Sequence, residues 1–322
     1  MIRSRSLSTA ATILVMATAS CRTPGAPAST GAAGDSPSYR VVHGWPQLPE
    51  GDTLGAVTGV GVSPGNLVFV FHRSGRTWPD SDQLDLSPIP SPTITVFDGP
   101  TGRIVARWGS GRFAMPHGLT VDRTGRIWLT DVALHQVYAF TPDGSLLMTL
   151  GERGVPGRDA SHFDRPTQVA VGANGVIFVA DGYRNSRVVR FAPDGKYLGE
   201  WGTPGKGKGQ FDVPHAVAFD ADGRVLVVDR GNGRVQIFDP SGVFLGEWTS
   251  PEMGRPYDVA VLPARGALVV DGGDQPETPP DRSALVVLDL QGTVHSRIGR
   301  WGNQDGQFML AHDLAVGPDG AV

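Results

Sequence analysis

Val213-Pro-His-Ala-Val-Ala-Phe-Asp-Ala-Asp-Gly-Arg-Val-Leu-Val-Val-Asp229 decides the fold. Apolar residues alternate on either side of Asp222-Gly223, a dipeptide that supplies the positive φ a tight hairpin needs. The flanks are rich in β-branched residues, so the stretch predicts two antiparallel strands. The pattern recurs as Met115-Pro-His-Gly-Leu-Thr-Val, Arg165-Pro-Thr-Gln-Val-Ala-Val and Arg255-Pro-Tyr-Asp-Val-Ala-Val. The anchoring prolines Pro116, Pro166, Pro214 and Pro256 are spaced by 50, 48 and 42 residues. A degenerate copy opens at Val57-Thr-Gly-Val-Gly-Val, and a sixth begins at Leu310-Ala-His-Asp-Leu-Ala-Val. Further turns at Asp143-Gly144 and Asp194-Gly195 fall late in their repeats. Each repeat therefore reads as four strands, and a repeat of about 40–50 residues with four strands is a propeller blade. Six copies predict an all-β, six-bladed β-propeller over residues 39–322, its last blade short by two or three strands. Tyr39–Val42 is placed to supply an outer strand for ring closure.

Composition agrees. Gly and Pro total 70 of 322 residues, about 22% against a usual ~12%, which suits many short strands. The formal net charge of −4 argues against a nucleic-acid partner, which needs a basic footprint. The single cysteine excludes an intramolecular disulfide and a cysteine-based zinc site. At the N-terminus, Arg3 and Arg5 precede an apolar run to Ala17, and Ala19-Ser20-Cys21 follows. This is the order of an export signal over residues 1–21. Cys21 stands where a bacterial lipoprotein signal carries its lipid, plain secretion being the alternative and a chance apolar start the bland one. Residues 22–38 are Pro/Ser/Gly/Ala-rich and read as a flexible linker. The expected place is the cell envelope or the exterior, with membrane contact only through Cys21, and the expected state is a monomer.

One position carries the chemistry. Just after the anchor proline, at the start of the innermost strand, the copies read Thr58, His117, Thr167, His215, Tyr257 and His312. Alternate blades of a six-fold ring lie about 120° apart, so three imidazoles converge on the central axis. That is the set a three-histidine catalytic metal site needs. The alternative is that pore-facing histidines bond water or one another. Zinc is the default metal, with iron, cobalt and manganese left open. His43, His72, His135, His162 and His295 break the register and read as surface or structural.

The loop after the second strand lies on the same face. It carries a recurrent Asp at Asp131, Asp181, Asp229 and Asp271, read as a cap on loop amides. Arg73, Tyr183 and Arg230 depart from the repeat consensus there and are functional candidates rather than surface decoration. Tyr183 becomes a base if nearby cations lower its pKa.

The chain resembles the NHL-repeat propellers, and among them the peptidyl-α-hydroxyglycine α-amidating lyases, from about Trp45 onward. The most specific stretches are Val68-Phe-Val-Phe-His-Arg73, Met115-Pro-His-Gly-Leu, Trp128-Leu-Thr-Asp-Val-Ala-Leu-His-Gln-Val137, His162-Phe163, Asp181-Gly-Tyr-Arg-Asn-Ser-Arg187 and Gly209-Gln-Phe-Asp-Val-Pro-His215. The resemblance implies a catalytic Zn2+ on His117, His215 and His312, a catalytic tyrosine at Tyr183 and active-site arginines at Arg73 and Arg230. It also implies a structural Ca2+ held by the backbone carbonyls of Val60 and Leu119 and by Asp313. The implied reaction cleaves an N-acyl- or peptidyl-α-hydroxyglycine to a primary amide and glyoxylate. Departures are visible. The family's disulfide cysteines are replaced by Asp164 with Arg184 and by Leu226 with Ile237, and its Met-Pro-His before the third ligand reads Leu310-Ala311-His312.

Two other readings compete. A propeller hydrolase or lactonase holds calcium with Asp, Asn and Glu in the pore, where this sequence has histidine. A non-catalytic NHL scaffold leaves Arg73, Tyr183 and Arg230 without a role.

Overall fold

Short alternating segments separated by Gly-centred turns build five four-stranded antiparallel sheets, met one after another along the chain. A computed structural model describes residues 2–4, 39–262, 266–274 and 282–322. Blade one comprises Val57–Val62, Leu67–His72, Ile94–Asp98 and Ile104–Trp108. Blade two comprises Pro116–Val121, Ile127–Asp131, Gln136–Phe140 and Leu146–Leu150. Blade three comprises Gln168–Val171, Ile177–Asp181, Arg187–Phe191 and Tyr197–Trp201. Blade four comprises Pro214–Phe219, Val225–Asp229, Arg234–Phe238 and Phe244–Thr249. Blade five comprises Pro256–Leu262, Gly266–Asp271, Ala284–Leu288 and Val294–Ile298. The turn that opened the sequence reading is present: Gly223 has φ 78°, and Val225–Asp229 pairs antiparallel with Pro214–Phe219 across it.

The apolar residues are spent between blades. Phe69, Phe71 and Ile94 of blade one meet Leu119, Leu129 and Phe140 of blade two in one buried cluster. Equivalent clusters join blades two and three, three and four, and four and five. Each fully buried Phe or Leu side chain contributes about 2–3 kcal/mol by burial, so the seams between blades hold the ring. The outermost strands are amphipathic; Leu146, Leu147, Leu198 and Leu245 face solvent.

The expected six-bladed count is corrected to five. Among the described residues five four-stranded sheets form, not six. Leu310–Val322 is 13 residues, too few for four strands of about five residues each. Its inner segment still takes its place in the ring. Ala311 and Leu314 bury against Tyr257, Leu268 and Val270 of blade five, with Tyr39 and Phe308 packed on the same cluster. The first turn is also kept: Gly317 donates to Ala321 O at 2.8 Å, as Gly172 does to Val176 O in blade three. Tyr39–Val41 is a strand near that gap, but it pairs with Ile2–Ser4 and not with a blade. Otherwise the expected signal and linker, Cys21 included, lie outside the described residues. No described helix is long and apolar enough to cross a membrane.

Candidate functional site

Four of the inner strands carry a register break at their first residues. It falls between Val57 and Gly59, Pro116 and Leu119, Pro214 and Ala216, and Pro256 and Asp258. The skipped residues include Thr58, His117, His215 and Tyr257. A bulge re-aims a side chain out of the ladder, and here it turns the repeat's variable position into the pore.

The three histidines come together as their alternation predicts. Their ring centroids lie 4.9 Å (His117–His215), 4.8 Å (His117–His312) and 4.9 Å (His215–His312) apart. Each Nδ1 donates to the carbonyl of the next copy around the ring: His117 to Thr167 O, His215 to Tyr257 O and His312 to Thr58 O, all at 2.8 Å. The sixth copy's histidine thus bonds blade one as if the ring were regular. These bonds place the proton on Nδ1 and leave a lone pair on every Nε2. Burial pushes all three imidazoles below the ordinary histidine range, His312 to about 3; Arg230 acts in the same sense on each, Arg73 on His117 and His312, and neighbouring histidines on His117 and His215. Three neutral nitrogen acceptors therefore share one pocket with one evident donor. That donor is Tyr183, whose Oη lies 3.0 Å from His117 Nε2 and 3.4 Å from His215 Nε2. Among the described residues this is the group of three whose ligand atoms fall within 4.8 Å of one another. A buried excess of nitrogen lone pairs fits a borderline divalent metal.

Arg73, Tyr183, Arg230 and His312 line one cavity of about 570 Å³, together with Trp78 and Tyr257; Arg165 and Arg184 also line it, both paired with Asp82. Gly182 admits Tyr183 to it: a Cβ there would lie 1.9 Å from Pro214 O, so only glycine lets this loop settle on blade four. The lowering of the Tyr183 pKa considered from the sequence is corrected: burial raises the phenol above its ordinary value and outweighs the opposite pull of Arg230 and Arg73. Arg73 donates Nε–H to Pro116 O at 3.1 Å, and its guanidinium lies 5.1 Å from the Trp78 ring. Trp78 in turn lies 5.4 Å from the Tyr183 ring.

Reading by repeats did not single out Trp78, Tyr257 or Asp274. Trp78 sits in a stretch with no repeat counterpart, and Asp274 lies three residues after the recurrent Asp271, where the other copies carry no acid. Tyr257 occupies the histidine position of its blade, a signal that alternation alone passed over.

The recurrent Asp residues are buried caps, as read. Asp131 accepts from the amides of Ala114, Met115, Ala133 and Leu134. Asp181, Asp229 and Asp271 accept from Asp164, Asp212 and Arg255 amides respectively. Each thus ties the loop before an inner strand to the strand beside it. Of the off-register histidines, His72 and His135 are buried and hydrogen-bonded, to Thr95 and the Arg165 amide.

Further along the axis, Val60, Leu119 and Asp313 line a second cavity of about 260 Å³. Asp313 accepts from the Val60 and Leu314 amides at 2.9 Å each. Burial, reinforced by Asp258 beside it, pushes Asp313 well above the carboxylate range. Gln168 donates to Asp258 at 3.1 Å. Two buried carboxylates in contact form an oxygen donor set suited to a hard cation. Asp258 is a member the sequence reading lacked.

The NHL repeat model matches residues 163–191 and 211–238. Over 171 residues the chain is 42% identical to peptidyl-α-hydroxyglycine α-amidating lyase 2 of Drosophila melanogaster, covering 50% of this chain and 42% of that protein. Over 157 residues it is 42% identical to a Rattus norvegicus peptidylglycine α-amidating monooxygenase, covering 45% of this chain and 16% of that one. The chain carries NHL repeats at residues 163–191 and 211–238, and over about half its length it is similar to proteins named amidating lyases. It spans less than half the length of these relatives. A solved streptogramin B lyase shares the propeller fold at 15% identity and a TM-score of 0.55, covering 82% of this chain and 88% of that one.

Proposed function

We propose that the protein is a metal-dependent carbon–nitrogen lyase that cleaves an N-acyl- or peptidyl-α-hydroxyglycine to a primary amide and glyoxylate. The observation that carries this reading is three clustered histidines, two of whose Nε2 atoms face the Tyr183 hydroxyl, beside a cavity that Arg73 and Arg230 help to line. The similarity to proteins named amidating lyases supports it.

His117, His215 and His312 are the proposed metal ligands, with zinc the first choice. Bound there, zinc supplies the Lewis acidity that makes a hydroxyl proton easier to remove. The proposed work of the chain is then as follows. Tyr183 Oη, ionised as the phenolate that a dication on the three histidines together with Arg230 and Arg73 would favour, takes the hydroxyl proton of the carbinol. The electron pair of that O–H bond becomes the second C–O bond of glyoxylate as the C–N bond breaks, and Tyr183 passes the same proton to the departing nitrogen, which becomes the amide. Arg73 meets the carboxylate and the negative charge that develops beside it, with Arg230 in support. The second cavity is the proposed structural calcium site, with Asp313, Val60 and Leu119 as its residues and Asp258 alongside. The protein is proposed to act as a monomer in the envelope, held by Cys21, or secreted.

The test is elemental analysis of the purified protein together with glyoxylate release from N-benzoyl-α-hydroxyglycine. Bound zinc, with turnover lost to a chelator and restored by zinc, is the expected result. Zinc without glyoxylate moves the substrate to other carbinols or esters. A folded protein with neither overturns the reading in favour of a scaffold.

A further inference from the structure

Arg230 does not stand free in the cavity. Its Nη2 donates to Asp274 Oδ2 at 2.8 Å and to Tyr257 Oη. The guanidinium also lies 4.2 Å from the centroid of the Tyr257 ring. Tyr257 Oη donates to the same Asp274 oxygen at 2.6 Å, and Arg255 Nη1 reaches it at 3.1 Å. One carboxylate oxygen thus gathers two guanidiniums and a phenol. Tyr257 carries the arrangement to the axis, since its ring lies 4.7 Å from that of His215 and 5.3 Å from that of His312. Arg73 is different: among the described residues no carboxylate lies within ion-pair distance of it, and its one hydrogen bond is to a backbone carbonyl.

We propose that Asp274 is a positioning residue: its carboxylate holds Arg230 and Tyr257 in the cavity wall and offsets the charge of Arg230, as Asp82 pairs Arg165 and Arg184, which leaves Arg73 as the lining arginine without a carboxylate partner to meet an anionic substrate. The proposal rests on the lyase reading for the identity of that anion alone. The arrangement gives two arginines unequal duties. An ion pair in a half-buried wall keeps its geometry because three donors converge on one acceptor. An unpaired buried guanidinium keeps its full charge for an incoming carboxylate.

The test has two arms. The first needs no turnover: crystal structures of the protein and of Asp274→Ala. Displacement of Arg230 from the Tyr257 ring supports the proposal, and an unmoved Arg230 overturns it. Asp274→Leu, which is close in size and offers no acceptor, serves if Asp274→Ala does not fold. The second arm reads charge, by calorimetric titration of the metal-loaded protein with N-benzoylglycine. Asp274→Asn is expected to lower Kd about three- to tenfold by releasing the charge of Arg230, whereas Arg73→Met raises it by at least tenfold. Equal Kd values for the protein and Asp274→Asn overturn the charge offset. If kinetics are measurable, Asp274→Asn lowers KM and Asp274→Ala lowers kcat. Should the protein release no glyoxylate while Arg230 moves in Asp274→Ala, the lyase reading fails and the positioning assignment stands.

Discussion

Replacing Tyr183 by phenylalanine removes one oxygen and little else. The ring is held by Trp78 at 5.4 Å, His117 at 5.1 Å and His215 at 5.7 Å between centroids, and none of these contacts uses the hydroxyl. The lost bond is the one at 3.0 Å to His117 Nε2, worth about 1 kcal/mol of stability, so Tm is expected to move by no more than about 3 °C. Catalysis is expected to suffer far more. A positioned proton acceptor contributes roughly 10²–10⁴-fold, which is about 3–5 kcal/mol of barrier. The assay is steady-state glyoxylate release from N-benzoyl-α-hydroxyglycine by Tyr183→Phe, with metal content measured on the same preparation. A kcat within threefold of the unaltered protein, at equal metal content, refutes Tyr183 as the proton acceptor. A loss of bound metal would instead make Tyr183 a support of the histidines.

Three further outcomes are expected. His215→Ala should abolish stoichiometric metal binding and, with it, the rise in Tm on adding zinc, which at a hundredfold excess over Kd is worth about 2.7 kcal/mol; a variant that keeps its metal removes His215 from the ligand set. Without metal, acid should destabilise the fold. His72 and His312, held at about 4 and about 3, bind protons in the unfolded chain below ~6.5 but not in the folded one. Each therefore costs about 1.4 kcal/mol per pH unit as pH falls from ~6.5 toward its folded value. Asp181, raised to about 6, acts in the opposite sense between about 6 and 3.8 and softens the slope. A Tm that is flat from pH 7 to 5 contradicts the burial of these imidazoles. Finally, Asp131→Ala strands four buried amides at about 1–3 kcal/mol each, a sum comparable with the whole stability of a domain. Loss of soluble protein or a Tm drop of more than about 10 °C is expected, against little change for Asp143→Ala in an exposed turn.

Much of this protein is local in origin and therefore legible along the chain. Asp222-Gly223 makes a hairpin wherever it is placed, because the turn needs positive φ and the strands need alternation. Repetition of that unit implies blades stacked face to face, since one sheet cannot bury its own apolar faces. Periodicity with identity then brings His117, His215 and His312 to one axis, and the departures from consensus mark Arg73, Tyr183 and Arg230. What the repeat does not encode was decided by the tertiary structure. The bulges that aim the pore residues depend on how neighbouring inner strands pack. The pairing of Asp274 with Arg230 and Tyr257 joins residues 44 and 17 positions apart, with no spacing rule to announce it. The meeting of Asp258 with Asp313 likewise needs the ring to close. The sixth copy is the sharpest case. Its sequence reads as the start of a blade, but a sheet is a property of paired strands. Leu310–Val322 keeps only the inner position, where blade five and blade one receive it on either side.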